Sequence, residues 1–533
     1  MTRPGGVIIV GSGPSGVSAA WPLVEAGVDV VMLDAGTPRA SEIPAERPDL
    51  VDIRAGGAGM WRYLLRPDLS GLRQTADTSP KIRCAMGVDF EAGYLSGNHL
   101  APSGYTTIGA LAVGGLSNVW GANVPAYDDA DLDGFPISPA DLAPSYHVIA
   151  GRVGVSRNAD DTHVNGMAVP SQPGLPLSGI AGAVYARYQA AKDAMGLAMA
   201  PVRNAVLTEA AHGRAACNLC GTCMWGCGRN AIYNSAFDLE VLMRRPNFTF
   251  LPGSLVVRLT LHSRSGYTVH VVDPRSRRPR EMVAKTVILA AGTFPSTRLV
   301  LALQNRYDQT LPLLTTPGCA AAFSMPSKLS EAMPDKLFGM GQLALKFPLS
   351  DRPWDYVYGI LFEAAAMPFP DLIAGMPLSR VGAMRLARFL LPSLTAILFN
   401  FPGEYGDCHV RLARPDDGEP AKLIISGRQQ AGFPALVQRS VKKIAKELRT
   451  VGLHYLPTSA QLYGPGAVNH HVGTLPMGSE TSSFGEVRDC PGLFVVDGSV
   501  FNRLPAKNHT FTVMANADRI GRYIAHGVAD VAV

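Results

Sequence analysis

The sequence predicts an α/β fold: a Rossmann-like, discontinuous nucleotide domain joined to a second domain of antiparallel sheet and helices. Three observations carry this. A glycine-rich turn lies between two apolar strands at Val7–Val10 and 28–33. A later apolar run, 286–291, ends in Gly292 and can return the chain to the same sheet. The 533 residues exceed what one simple core accommodates.

The first βαβ unit explains itself residue by residue. Val7-Ile8-Ile9-Val10 is a continuous apolar run suited to a central parallel strand. It feeds Gly11-Ser12-Gly13-Pro14-Ser15-Gly16, a helical stretch, a turn at Gly27 and a strand ending in Asp34. Gly11 allows the tight turn, Gly13 lets the backbone approach a pyrophosphate, and Gly16 lets helix and strand pack closely. The helix N-terminus offers free N–H groups to the phosphates. Asp34 is placed to accept hydrogen bonds from ribose hydroxyls. Pro22, inside the helical stretch, is expected to kink it. The early position of the motif and the later return strand favour FAD over NAD. Residues 255–259, 267–272 and 282–284 read as an antiparallel meander inserted before that strand. Arg275, Arg277, Arg278 and Arg280 then fall at a solvated hairpin tip.

Composition excludes several classes. The chain is 47% hydrophobic and 17% charged, which is globular and not disordered. A net charge of +5 is small for this length and argues against nucleic acid as a partner. The longest uncharged apolar run, about Phe389–Pro402, contains Pro392 and is too short for a membrane span. The N-terminus carries no secretory pattern, so cytoplasmic folding is expected. Cys84, Cys319, Cys408 and Cys490 are scattered, as ordinary buried thiols are.

The other four cysteines, Cys217, Cys220, Cys223 and Cys227, form a C-x2-C-x2-C-x3-C run. That is the bacterial ferredoxin spacing, without the usual proline after the last cysteine. An iron–sulfur cluster that relays electrons is the first reading. Vacant thiols, or zinc or a disulfide, are the alternatives.

Several separated motifs resemble the glucose–methanol–choline oxidoreductase superfamily. Residues 113–121, Val-Gly-Gly-Leu-Ser-Asn-Val-Trp-Gly, are similar to its glycine-rich flavin loop in the pyranose-oxidase-like form. Asp133-Gly134-Phe135-Pro136-Ile137 continues the likeness. His470-His471-Val472-Gly473-Thr474 resembles the segment with the catalytic histidine, and Leu493–Ser499 the last flavin-binding strand. Asn508 stands where the second catalytic residue belongs, and His509 competes with it because some relatives use histidine there. The resemblance implies flavin contacts from Gly114, Gly115, Ser117, Asn118, Val257, Asp497 and Gly498. Where some pyranose oxidases attach FAD through histidine, this chain has Val119, so the FAD is expected to be non-covalent. A comparable cysteine run occurs in iron–sulfur dehydrogenases of the superfamily, with different spacing.

The chemistry that follows is oxidation of an alcohol, most readily of a sugar or glycoside, by hydride transfer to flavin. A neutral imidazole near pH 7 suits removal of the hydroxyl proton, and His470 is the candidate base. Asn508 would orient the substrate oxygen. His471 reads as a satisfied polar side chain. The expected division is 1–309 for the first part of the FAD domain, 310–464 for the substrate domain, and 465–533 for the returning FAD segment. Two rival functions stand beside this one. One is oxidation of a sterol-like or long-chain alcohol. The other is a non-catalytic electron-transfer subunit. The apolar stretch 372–401, with Arg380, Arg385 and Arg388, reads first as a core helix with solvated arginines. Its second reading is an amphipathic lid, or a surface helix touching a membrane or an apolar substrate. An external electron acceptor is the remaining expected partner.

Overall fold

The computed structural model describes residues 6–37, 48–56, 60, 62–65, 81, 93–177, 179–262, 266–368, 377–415 and 420–531. Its nucleotide unit is a five-stranded parallel sheet. The strands lie in the order Leu493–Val495, Thr286–Leu289, Val7–Val10, Val30–Leu33, Phe248–Leu251. Four segments far apart in sequence therefore share one sheet, and its central strands are buried on both faces, as their unbroken apolar character demands. Helix Pro14–Glu25 follows the first strand and runs through Pro22 to its end. Helix Thr510–Val531 packs on it where Gly521 has no side chain; a Cβ there would sit 2.5 Å from the Ala19 carbonyl oxygen. The meander is present as Leu255–Leu261, Tyr267–Val272 and Pro279–Ala284, with the arginine-rich turn between its last two strands.

The second unit is a seven-stranded sheet. Gly318–Ser324, Leu394–Asn400, Tyr356–Glu363 and Leu343–Pro348 form its centre, all antiparallel. Its edge strand, Ala198–Pro201, pairs with Leu343–Pro348. Residues before 310 thus contribute to this sheet, because an antiparallel partner is chosen by register and not by sequence proximity. Helix Phe433–Thr450 covers one face with Val437, Val441, Ile444 and Leu448, the stripe its periodicity predicts.

A third sheet joins the units. Its order is His471–Val472, Thr310–Thr315, Gly406–Leu412, Leu423–Gln429, Leu100–Ser103. This sheet fixes the backbone of the predicted catalytic segment, with Thr315 opposite His471.

The apolar stretch 372–401 splits. Residues 372–376 and Cys84 lie outside the described residues. Helix Arg380–Leu390 buries only Ala383 and Ala387, so it is a surface helix and not the core helix expected. Strand Leu394–Asn400 takes the buried part. Among the described residues no helix is long and apolar enough to cross a membrane.

Candidate active site

The site begins at the glycine-rich turn. Gly11 has φ +105°, and a Cβ there would meet the Ala290 carbonyl oxygen at 2.4 Å. A Cβ on Gly16 would lie 2.0 Å from the Gly11 carbonyl oxygen. At Gly13, by contrast, nothing lies within 4 Å. The turn is closed toward the protein and open on one side, at a helix N-terminus, which is a cradle for a pyrophosphate. Asp34 holds this turn: its carboxylate accepts from Ser12 N at 2.8 Å, Ser12 Oγ at 2.6 Å and Gly36 N at 2.7 Å. Burial pushes its pKa up against those bonds. Asp34 still borders the cleft, where a ribose would lie.

The second glycine-rich loop closes over the first. Gly114 N donates to Ser12 Oγ at 3.1 Å. Ser117 Oγ donates to the Gly114 carbonyl at 2.6 Å, and Asn118 Nδ2 to the Gly115 carbonyl at 2.7 Å. Asn234 and Ser235, which the sequence reading missed, pin the loop from outside. Asn234 Nδ2 donates to Asn118 Oδ1 at 2.8 Å, and Ser235 Oγ to the Ser12 carbonyl at 3.0 Å. The available signal was a helix cap: the Asn234 side chain accepts from Ala236 N at the start of helix Ser235–Leu242. Together these loops, Ala290–Phe294, His471, Gly498 and His509–Thr510 line a cleft of about 230 Å³. A larger cleft, about 820 Å³, lies between the segments 188–198 and 346–356 and touches none of these loops.

Two predicted flavin residues act differently from expectation. Asp497 spends both oxygens on protein donors: Gly292 N and Ser296 Oγ on one, Ser499 N and Ser499 Oγ on the other. It is a buried clamp that sets Gly498 at the cleft. Val257 sits at a bulge of the meander, and its carbonyl accepts from Arg298 Nη2 at 2.7 Å. The bulge is what a register-blind reading could not foresee.

The catalytic candidates do converge. The rings of His470 and His509 lie 5.0 Å apart, edge to face at 84°. Thr316 Oγ1 lies 3.4 Å from His470 Nδ1, and the His470 carbonyl accepts from Thr315 Oγ1 at 3.0 Å. Gly473, at φ +86°, turns the chain after this strand. His509 Nδ1 and Asn508 Oδ1 are buried polar atoms with no hydrogen-bond partner among the described residues. Such atoms are costly unless a ligand meets them. Of the two, His509 is the one whose ring packs against His470. Burial pushes the His470 pKa down to about 4, and the His509 pKa well below its ordinary value, with His470 and His471 adding to the effect. Burial, then His470, takes His471 to about 3. His471 is otherwise engaged. Its ring stacks on Phe294 at 4.7 Å, and Nδ1 lies 3.1 Å from the Tyr105 hydroxyl.

The cysteine run is a compact turn. Gly221, at φ +77°, and the turn Cys223–Trp225 fold it against Leu337 and Gly339. Cys217 Sγ accepts from Leu219 N at 3.4 Å, and Cys220 Sγ lies 3.2 Å from the Thr222 hydroxyl. Cys223 is buried, and burial raises its pKa well above the thiol range. Among the described residues no three His, Cys, Asp or Glu side chains converge as metal ligands do. The four thiols do lie near one another: Cys217, Cys220 and Cys227 add to the rise in the Cys223 pKa that burial begins. The run packs beside buried Lys81, whose ammonium donates to the Trp120 carbonyl at 2.8 Å. Burial lowers the Lys81 pKa to about 8, with Cys223 and Cys227 opposing.

Comparison with known proteins identifies relatives of this chain. Residues 443–517 match the family model for GMC oxidoreductases, and residues 6–49 match an FAD-binding domain. Over 97% of this chain and 91% of the relative, it is 24% identical to paromamine 6'-oxidase of Streptomyces fradiae. It is also 24% identical to 2-methyl-1,2-propanediol dehydrogenase of Mycolicibacterium austroafricanum, over 98% of this chain and 96% of the relative. Among solved structures, pyridoxine 4-oxidase from Mesorbium loti superposes with a TM-score of 0.62 at 15% identity, covering 98% of this chain and 99% of that one. A formate oxidase of Aspergillus oryzae RIB40 gives 0.58 at 14% identity, covering 99% and 100%. With its two glycine-rich loops, its returning C-terminal segment and its paired histidines, the chain belongs to the glucose–methanol–choline oxidoreductase superfamily, FAD-dependent enzymes that oxidise CH–OH groups.

Proposed function

We propose that this enzyme oxidises an alcohol carbon of a sugar or glycoside to a carbonyl, with His470 taking the hydroxyl proton and His509 orienting the oxygen. The observation that carries this is the His470–His509 pair at 5.0 Å, both rings held neutral by burial, with His509 lining the FAD cleft and His470 packed against it. When bound, FAD supplies the hydride acceptor. The residues do the rest. In the tautomer whose Nδ1–H donates to Thr316 Oγ1, His470 Nε2 carries the free lone pair. The hydroxyl proton passes to that nitrogen as the C–H electron pair leaves as hydride, and a C=O bond forms. His509 and the unpartnered Asn508 Oδ1 provide polar contacts that hold the substrate oxygen in line.

A glycoside is favoured because relatives named for paromamine and for 6'''-hydroxyparomomycin C align over nearly the whole chain. A paired set of neutral bases weighs against a purely electron-carrying subunit, which has no proton to remove. The electrons leave to an external acceptor met at the same cleft.

Anaerobic stopped-flow reduction of bound FAD tests the assignment. His470→Ala should slow reduction by alcohol at least ~100-fold with FAD content unchanged. Near-normal reduction by that variant would remove His470 from the chemistry.

A further inference from the structure

We propose that helix Arg380–Leu390 seats the protein on an anionic lipid surface. Ten large apolar side chains among the described residues are exposed, and five of them belong to this helix and its entry: Leu378, Val381, Met384, Leu386 and Phe389. Val381 is 61% exposed and Phe389 48%. Helical spacing puts Val381, Arg385 and Phe389 on one outward line, with Ala383 and Ala387 turned to the protein. A soluble surface seldom concentrates its apolar residues this way without something to cover them.

Charge selects the occupant. Between 372 and 403 the chain contains three arginines and no Asp or Glu. Arg385 and Arg388 are exposed and make no ion pair among the described residues. The loop beside the helix, joined to it by Ser330 N donating to the Phe389 carbonyl, adds Lys328 and Glu331, which neutralise one another. Apolar side chains interleaved with unpaired guanidinium groups match a lipid interface: the rings and branches enter the acyl boundary while the arginines reach the phosphates. A water-soluble partner would need acidic groups at matched positions, whereas an anionic bilayer presents them everywhere. The helix has 11 residues and Gly382 in its first turn, so it lies on such a surface and does not cross it.

The test uses the FAD-loaded protein and vesicles of phosphatidylcholine, with or without one third phosphatidylglycerol, read by cosedimentation. Binding is expected on the anionic vesicles. Arg385→Ala with Arg388→Ala should weaken it about 25-fold, since each basic residue near such a surface is worth about a factor of 5. Val381→Asp with Phe389→Asp should abolish it. Both variants should keep alcohol-driven flavin reduction, since none of these residues borders the cleft. Equal binding to the two vesicle types, or binding indifferent to both variants, overturns the proposal. A dimer in sedimentation velocity that Phe389→Asp dissociates, without vesicle binding, also overturns it and makes a second copy the occupant.

Discussion

Lys507→Met probes how the catalytic segment is held in place. Lys507 is 0% exposed, and its ammonium donates to Asp131 Oδ2 at 2.7 Å and Asp128 Oδ2 at 2.8 Å. Tyr356 donates its hydroxyl to the other Asp131 oxygen. Burial pushes the Asp131 pKa up, and Lys507 is the strongest force pulling it down. Lys507 itself stays above the ordinary lysine value because the two carboxylates outweigh its burial. Methionine keeps the stem and deletes the charge, leaving one fully buried and one partly buried carboxylate. Breaking a buried pair in this way costs about 3–5 kcal/mol, or roughly two to four powers of ten in the folding equilibrium. Tm should fall by about 3–5 °C. The sign of the pH dependence follows. Without Lys507 the folded-state pKa of Asp131 rises further above its unfolded value, so the folded variant binds the extra proton. Its stability deficit should then shrink as pH falls from 7 toward 5, by up to roughly 1.4 kcal/mol per pH unit. Thermal unfolding of wild type and variant across that range is the assay. A deficit that is absent at pH 7, or that grows as pH falls, would refute the reasoning. Flavin reduction should slow as well, because Asn508 and His509 follow Lys507 directly in the chain.

Two further outcomes rest on the same geometry. The His470 pKa, held down to about 4 by burial, predicts flavin reduction that is flat from neutral pH down to about 5 and declines only as pH approaches 4; a stopped-flow profile turning over near the free histidine value of about 6.5 would contradict it. Val119, buried in the flavin loop, offers no nucleophile, so acid precipitation should leave the yellow chromophore in the supernatant, and a coloured pellet would show a covalent link.

Much of the fold was legible because local rules fix it. The βαβ unit, the meander and the amphipathic helix at 433–450 each advertise themselves by period and turn chemistry. The cysteine run shows the limit of spacing. Four thiols within eleven residues permit a cluster, but the turns at Gly221 and Cys223–Trp225 decide where each sulfur points. The stretch 372–401 shows the limit of composition, since one apolar run became both an exposed helix and a buried strand.

By itself, then, the sequence determined the nucleotide cradle, the second glycine-rich loop and the return of the C-terminal segment to the first sheet. In each of these, a backbone requirement such as the absent Cβ at Gly11 and Gly16 can be met by few residue types. Only the tertiary structure decided that His509 faces His470, that Asp497 clamps Gly292, Ser296 and Ser499, and that Lys507 anchors the segment between them. Those outcomes depend on which distant groups arrive at a buried polar atom. The Asp131–Lys507 pair, for example, joins residues 376 positions apart, and no local pattern encodes that meeting.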